Sequence, residues 1–307
     1  RFKIQRFLKK AVKVKCKYAI LEVTSEGILQ NRHRCINFDA AVFTNLSPEH
    51  IERHGSFERY REAKGKLFQS AKNIHIINID DENAEYFLQL PAKKKYTYGL
   101  DKGDINSKDV QFKLQLIGEF NIYNALAAIS VGQAYGVGLA ICKRALEEIE
   151  GIPGRMEIVI KEPFKVIVDY AHIPDSLENV YQTLKTKDQK LICVLGSAGG
   201  GRDKWKRPKM GEIAAKYCDK IILTNEDPYD ENPSQILSEI KSGIPNIVYE
   251  ILDRQEAIRK ALELAEPNDA VIITGKGCEP WMCVASGKKM PWDDRKIVQE
   301  EIVRLKI

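Results

Sequence analysis

Apolar positions along this chain follow two spacings. Tyr18–Val23 and Ala40–Thr44 are short, β-rich apolar runs, and each predicts a buried strand ending in polar residues, at Glu22 and at Thr44–His50. From Phe57 the spacing changes to threes and fours: Phe57, Tyr60, Lys64, Leu67 and Phe68 predict a helix with Ser56 as its N-cap. Ile74–Ile79 and a stretch near Tyr96 predict further strands, Asp80–Asn83 an acidic helix start, and the alternation over Gln111–Ile117 a half-buried strand. Gly118 precedes a helix packing Ile122, Leu126, Ile129 and Val131, and Leu139–Ile149 gives another, closed by Gly151. Ahead of these, Phe2, Ile4, Phe7, Leu8, Ala11 and Val12 form a weakly amphipathic helical pattern within residues 1–17.

Ile152-Pro153-Gly154 punctuates the chain, and the pattern then restarts as regular β/α alternation, so the predicted domains are 1–152 and 153–307. Strands are predicted at Met156–Ile160, Val166–Asp169, Leu191–Leu195, Lys220–Thr224, Ile247–Ile251 and Ala270–Thr274. Helices are predicted at Pro174–Leu184, Arg207–Tyr217, Pro233–Ile240 and Gln255–Leu264, with a charged one at Asp294–Leu305. This alternation predicts an α/β fold, a mainly parallel sheet with helices on both faces.

At 307 residues and 44% hydrophobic the chain can build two cores. No apolar run approaches the ~18 residues that span a bilayer, and the basic start lacks an apolar signal core. The 48 basic and 43 acidic residues are interspersed, which favours a solvated face over nucleic acid or a membrane surface as the reason for the positive charge. Seven scattered cysteines without a C-x-x-C suit buried thiols in a reducing cytoplasm better than disulfides or zinc. The first residue is Arg1 rather than Met, so a fragment or a trimmed product is expected.

Ligands in open α/β sheets collect beyond the carboxyl ends of strands. Glu22, His50 and Lys64 are therefore placed to converge at one sheet edge. Taken singly, a solvated strand end, a capping histidine and an exposed helix lysine are the ordinary readings. Their context changes that. EVTSEG at Glu22–Gly27, FTNLSPEHIERHG at Phe43–Gly55 and YREAKGKLF at Tyr60–Phe68 together resemble the central domain of the Mur ligases, in particular those adding the third residue to UDP-MurNAc-dipeptide. The similarity continues through GRME (154–157), VDYAHIPDS (168–176), LGSAGGGRDKWKRPKMG (195–211), TNEDPYDENP (224–233) and TGKGCE (274–279).

The resemblance implies part of a P-loop-type central ATPase domain followed by a Rossmann-like, doubly wound C-terminal domain. It implies an ATP-dependent amide ligase of cytoplasmic peptidoglycan-precursor synthesis, with ATP and Mg²⁺ as cofactors and UDP-MurNAc-peptide and a free amino acid as partners. Glu22 and His50 would approach magnesium, and Lys64 would be the carbamylated lysine, a cation turned into a carboxylate. Thr24, Gln30 and Arg32 would grip the UDP-sugar-peptide, and Asn121, Asn124, Arg155 and Asp169 the nucleotide. Arg202, Asp227, Tyr229, Gly275 and Glu279 would form the amino-acid pocket. The chain departs from the family at Thr24 and Glu26, where Ser and His are usual, and at Cys278, where His is usual. At 227–229 it carries Asp-Pro-Tyr where diaminopimelate-adding enzymes have Asn-Pro-Arg; this acidic loop is expected to favour a distal amine over a distal carboxylate.

A phosphate loop of the form G-x-x-x-x-G-K-[ST] is absent: Gly65-Lys66, Gly275-Lys276 and Gly287-Lys288 all lack the required flanks. In the family that loop lies upstream, beyond a uridine-binding domain. The chain by itself is thus expected to be inactive, and the alternative reading is a non-catalytic binding module or partner subunit.

Overall fold

A computed structural model describes residues 2–49 and 51–307. The chain divides into two compact units, one of residues 1–113 and 122–146, the other of 114–121 and 147–307.

The first unit opens with α1 (Phe2–Lys13) and α2 (Ser25–Leu29), followed by β1 (Ala40–Phe43), α3 (Ile51–His54), α4 (Phe57–Ser70), β2 (Ile74–Asn78), α5 (Ala84–Gln89), β3 (Lys94–Gly99) and β4 (Ile105–Asn106). Then come α6 (Glu119–Ala134), whose first residues belong to the other unit, and α7 (Leu139–Glu147). The sheet runs β1-β2-β3-β4, all parallel, with Val42 beside Ile76 in the register. Ala41, Phe43 and Ile77 pack on one face against Tyr60 and Phe68 of α4 and Phe87 of α5. Ile74 and Ile76 pack on the other face against Leu126 and Ile129 of α6. Ser56 accepts the Arg59 N–H at 3.3 Å, the cap that starts α4.

Two predicted strands are not strands. Tyr18–Val23 has no regular secondary structure and no strand partner among the described residues, and Tyr18 and Ile20 are 66% and 93% exposed. Its apolar pattern is that of a buried strand, but no backbone among the described residues bonds it. Gln111–Ile117 is likewise irregular, while the short β4 has too few residues to leave a periodic signal.

In the second unit β5 (Glu157–Ile160), β6 (Lys165–Val168), α8 (Pro174–Leu184), β7 (Leu191–Leu195), α9 (Lys206–Tyr217), β8 (Lys220–Leu223), α10 (Pro233–Lys241), β9 (Tyr249–Glu250), α11 (Arg254–Leu264) and β10 (Ala270–Ile273) follow in order. The sheet order is β5-β6-β10-β7-β8-β9, parallel except for β5. β7 shows why: Leu191, Cys193 and Leu195 join the core under α8, α9 and α10, and Ile192 and Val194 join the core under α11 and α12 (Asp294–Leu305). A strand buried on both faces needs this continuous apolar run. The hairpin β11 (Trp281–Val284) and β12 (Lys288–Pro291) precedes α12 and was not legible in the sequence. Cys142, Cys193 and Cys283 are buried, but Cys16, Cys35 and Cys278 are exposed, against the expectation of buried thiols throughout. Among the described residues no helix is long and apolar enough to cross a membrane.

Candidate functional site

In the first unit a cavity of about 1220 Å³ lies against β1 and is lined by Glu22, Thr24, Thr44, Glu49 and Lys64, among others. Lys64 enters it from the middle of α4, half-buried, its ammonium 5.3 Å from the centre of the buried Tyr60 ring. Burial lowers the Lys64 pKa, and the carboxylates of Glu49, Glu22 and Asp81 pull against that shift. A lysine amine easier to neutralise than usual, held among carboxylates, suits attack on CO₂. Glu22 and Glu49 offer hard oxygen donors, and the carbamate would add two more, a donor set that fits Mg²⁺. Among the described residues no cluster of three or more His, Cys, Asp and Glu is arranged to hold a metal unaided. Magnesium draws much of its shell from water and phosphate oxygens, so one or two carboxylates are enough. His50 lies outside the described residues. Glu49 had no role in the sequence reading, because only its position in the fold sets it beside Lys64.

Thr24 is the N-cap of α2, its hydroxyl accepting the Gly27 N–H at 3.1 Å, and Gln30 is the C-cap. Both, with Arg32, are exposed. Thr24 thus serves the backbone, and a ligand would share its hydroxyl. Glu26 pairs with Arg53 at 2.5 Å, so the residue in place of the family's usual histidine has an internal partner. Ser25 and His54, both buried, meet at 3.1 Å between Oγ and Nε2. Neither stood out in the sequence, since 29 residues separate them.

In the second unit Asp169, Arg202, Asp227, Tyr229, Gly275 and Glu279 lie beyond the carboxyl ends of β6, β7, β8 and β10. Asp169 follows β6, and its two oxygens accept the Met156 and Ala171 N–H groups at 2.7 Å each. Burial raises its pKa and those bonds oppose the shift. Asp169 first of all pins the start of β5 to the turn after β6. Arg155 is exposed and stacks over Tyr170, 4.5 Å from the ring centre. Asn121 is buried at the start of α6, donating to Ile117 O at 2.7 Å, and Asn124 is exposed one turn on.

The glycine-rich turn after β7 and the 224–233 loop after β8 interlock. Gly199 N–H donates to Asp227 O at 2.8 Å, and a Cβ on Gly199 would fall 2.3 Å from Pro228 O. Arg207, fully buried, donates to Glu231 at 3.0 Å, Glu239 at 2.5 Å and Ala198 O at 3.2 Å, tying both loops to α9 and α10. Tyr229 sits at φ 51° beside Arg202. Burial, Cys283 and Asp227 push its hydroxyl pKa up to about 12, against the pull of Arg202.

The acidic loop differs from its expectation. Lys276, fully buried, donates to both Asp227 oxygens at 2.9 Å and to Glu279 at 2.6 Å. Glu231 is bound by Arg207, and Asp230 accepts the Ser286 N–H. The charges expected to attract a distal amine are therefore largely compensated inside the protein. Lys276 stands in TGKGCE but gave no signal of burial. Glu226 is the opposite case: 4% exposed, with Oε2 lacking a hydrogen-bond partner among the described residues. Gly275, at φ 103°, leaves room for it, since a Cβ there would sit 2.3 Å from that oxygen. The hydroxyls of Ser197 and Thr224, just beyond β7 and β8, are also buried and have no hydrogen-bond partner among the described residues. Such orphaned polar groups at the carboxyl edge of a parallel sheet mark a place for a polar ligand.

The profile of the Mur ligase middle domain matches residues 1–132, and that of the Mur ligase glutamate ligase domain matches residues 154–277. The chain is 40% identical over 326 residues to the UDP-N-acetylmuramoyl-L-alanyl-D-glutamate–2,6-diaminopimelate ligase of Syntrophomonas wolfei, covering 97% of this chain and 66% of that protein. It is 34% identical to the ligase of the same name from Geobacillus kaustophilus, covering 97% and 67%. A solved structure of a ligase of that name superposes with a TM-score of 0.59 at 32% identity, over 99% of this chain and 68% of the other. The chain spans about two thirds of the length of these relatives.

Proposed function

The chain belongs to the Mur ligase family, and from that premise we propose that it provides the catalytic lysine, the amino-acid pocket and part of the nucleotide site of an ATP-dependent ligase. The ligase joins a free amino acid to UDP-MurNAc-dipeptide in cytoplasmic peptidoglycan-precursor synthesis. The observation that carries this reading is Lys64, half-buried beside Glu22 and Glu49 with its pKa lowered by burial.

Magnesium and ATP, when bound, supply charge neutralisation and the phosphoryl group that turns the acceptor carboxylate into an acyl phosphate. This chain's own residues do the rest. Glu22, His50 and carbamylated Lys64 would hold the metal, which would neutralise phosphoryl charge, and Arg32 would take an anionic oxygen of the UDP-sugar-peptide. Asn121 and Asn124 would serve the adenine, and Arg155 and Asp169 would contact the nucleotide, the aspartate through ribose. Arg202 holds the incoming carboxylate, while Gly275, Tyr229, Asp227 and Glu279 shape the wall behind it, with Lys276 fixing the last two.

In a complete ligase containing this chain, Lys64→Ala should lower kcat by on the order of 10³-fold, the scale for losing a key transition-state contact. Acetate or bicarbonate should restore part of it, since what is missing is a carboxylate. Near-normal turnover by the alanine variant refutes the role. A second reading, a non-catalytic binding module, is favoured by the absence of a phosphate loop in residues 1–307. Calorimetry separates the two: a module binds the UDP-sugar-peptide without ever releasing phosphate from ATP.

A further inference from the structure

We propose that His54 is a positioning residue for the UDP-sugar-peptide: through Ser25 it fixes α2, whose two caps, Thr24 and Gln30, are set to grip that substrate. Only the identity of the substrate rests on the ligase reading; the placement of α2 stands on the geometry of residues 24–64.

α2 does not hold its own position. It has five residues, far below the ~12–15 at which an isolated helix becomes even marginal in water. The Thr24 hydroxyl closes its first turn on the Gly27 N–H, and Gln30 at the other end is exposed. The helix is anchored from outside. Glu26 pairs with Arg53, and Ser25 Oγ meets His54 Nε2 at 3.1 Å. The Arg53 side chain is 53% exposed, and an ion pair so open to water contributes little. Ser25 and His54 are 2% and 7% exposed. Breaking a polar contact that far from water strands whichever partner remains, so this pair outweighs its neighbour.

His54 also sets where α2 sits relative to Lys64. It is the last residue of α3, and only Gly55 and Ser56, the N-cap of α4, separate it from the helix that carries the lysine. Gly55 turns the chain there at φ 81°, left-handed backbone that suits glycine. The imidazole meets the buried Tyr60 ring edge-on, 5.3 Å between centres, and the Lys64 ammonium lies over that same ring. One imidazole thus touches both α2 and the turn of α4 that precedes Lys64.

A sugar-peptide held by Thr24 and Gln30 is therefore held at a set place relative to Lys64. Without the Ser25–His54 contact, binding would have to order α2, and that ordering subtracts from affinity. The chemical step follows once the substrate is seated, so KM should move and kcat should not.

The test uses a complete ligase containing this chain. Calorimetry gives the Kd of UDP-MurNAc-dipeptide, and steady-state turnover gives kcat and KM. His54→Gln keeps a polar atom where Nε2 stands, whereas His54→Asn keeps one only at the Nδ1 position. The asparagine variant should raise Kd and KM about tenfold, the scale for stranding a buried polar group, with kcat changed less than about threefold. The glutamine variant should stay close to the parent throughout. Ser25→Ala should reproduce the asparagine variant, and the two substitutions together should cost no more than either alone. Hydrogen exchange should speed up at residues 25–30 and stay unchanged at 74–78, the central strand β2. Equal effects of asparagine and glutamine, a fall in kcat at constant KM, additive effects of the two sites, or faster exchange at β2 as well would each overturn the assignment. A parent that binds UDP-MurNAc-dipeptide but never turns over refutes the proposed function, and the Kd series still decides the role of His54. A parent that binds none refutes both.

Discussion

Two buried side chains show how far a residue's role depends on what surrounds it. Glu226 and Lys276 are both almost wholly removed from water, yet Lys276 is held by two carboxylates whereas Glu226 has an orphaned oxygen. Burial raises the Glu226 pKa, opposed by Arg254, His172 and Lys206, while Asp227 adds to the rise. Below the ordinary carboxylate range the group is protonated in both folded and unfolded chains. As pH rises the unfolded chain ionises first, so the stability that Glu226 contributes is lost from about pH 4 up through its raised folded value. Glu226→Gln should therefore match the parent near pH 4 and be more stable at neutral pH by about 1–3 kcal/mol. Urea unfolding at the two pH values checks it, and a difference that shrinks with rising pH would refute it. Neither role was legible from TNEDPYDENP or TGKGCE. Those blocks gave Asp227 and Glu279 as pocket residues, but the cation between them arrives 49 positions along the chain.

At the scale of elements, local signals held where the chain itself supplies the partner. Ser56 caps α4 because its hydroxyl needs only the N–H three residues on, and Ser56→Ala should cost about 1 kcal/mol in thermal or urea unfolding. Long-range pairs weigh more. Arg254 at the start of α11 donates to Asp294 on α12 at 2.7 and 2.9 Å, with both side chains buried. Asp294→Ala strands a buried guanidinium, and a loss of about 3–5 kcal/mol in the same assay is expected. A loss no larger than that of the cap variant would mean that Thr274 O and Asn225 O, which Arg254 also reaches, suffice. The strand pattern of β7 was readable to the residue, since five consecutive apolar positions between polar flanks fit little else. Tyr18–Val23 carried an equally good pattern and forms no strand, because a strand's hydrogen bonds belong to its neighbours.

Across the whole molecule, each unit has its own sheet and its own cores. The chain should fold by itself, yet without a phosphate loop it should show no magnesium-dependent release of phosphate from ATP when given UDP-MurNAc-dipeptide and an amino acid. A phosphate-release assay on the 307-residue chain decides, and turnover would show the phosphate loop to be dispensable. The sequence alone determined the α/β class, the order of nearly all elements and the family, because apolar period, caps and short motifs are properties of neighbouring residues. Tertiary structure decided what depends on distant ones. It compensated the acidic loop through Lys276 and Arg207, spent the Asp169 oxygens on backbone N–H groups, and brought Glu49 beside Lys64. It also placed Tyr18–Val23, without regular structure, on the lining of the same cavity as β1. Pairing energy, charge compensation and burial are set by what lies alongside in space, and no local pattern records that.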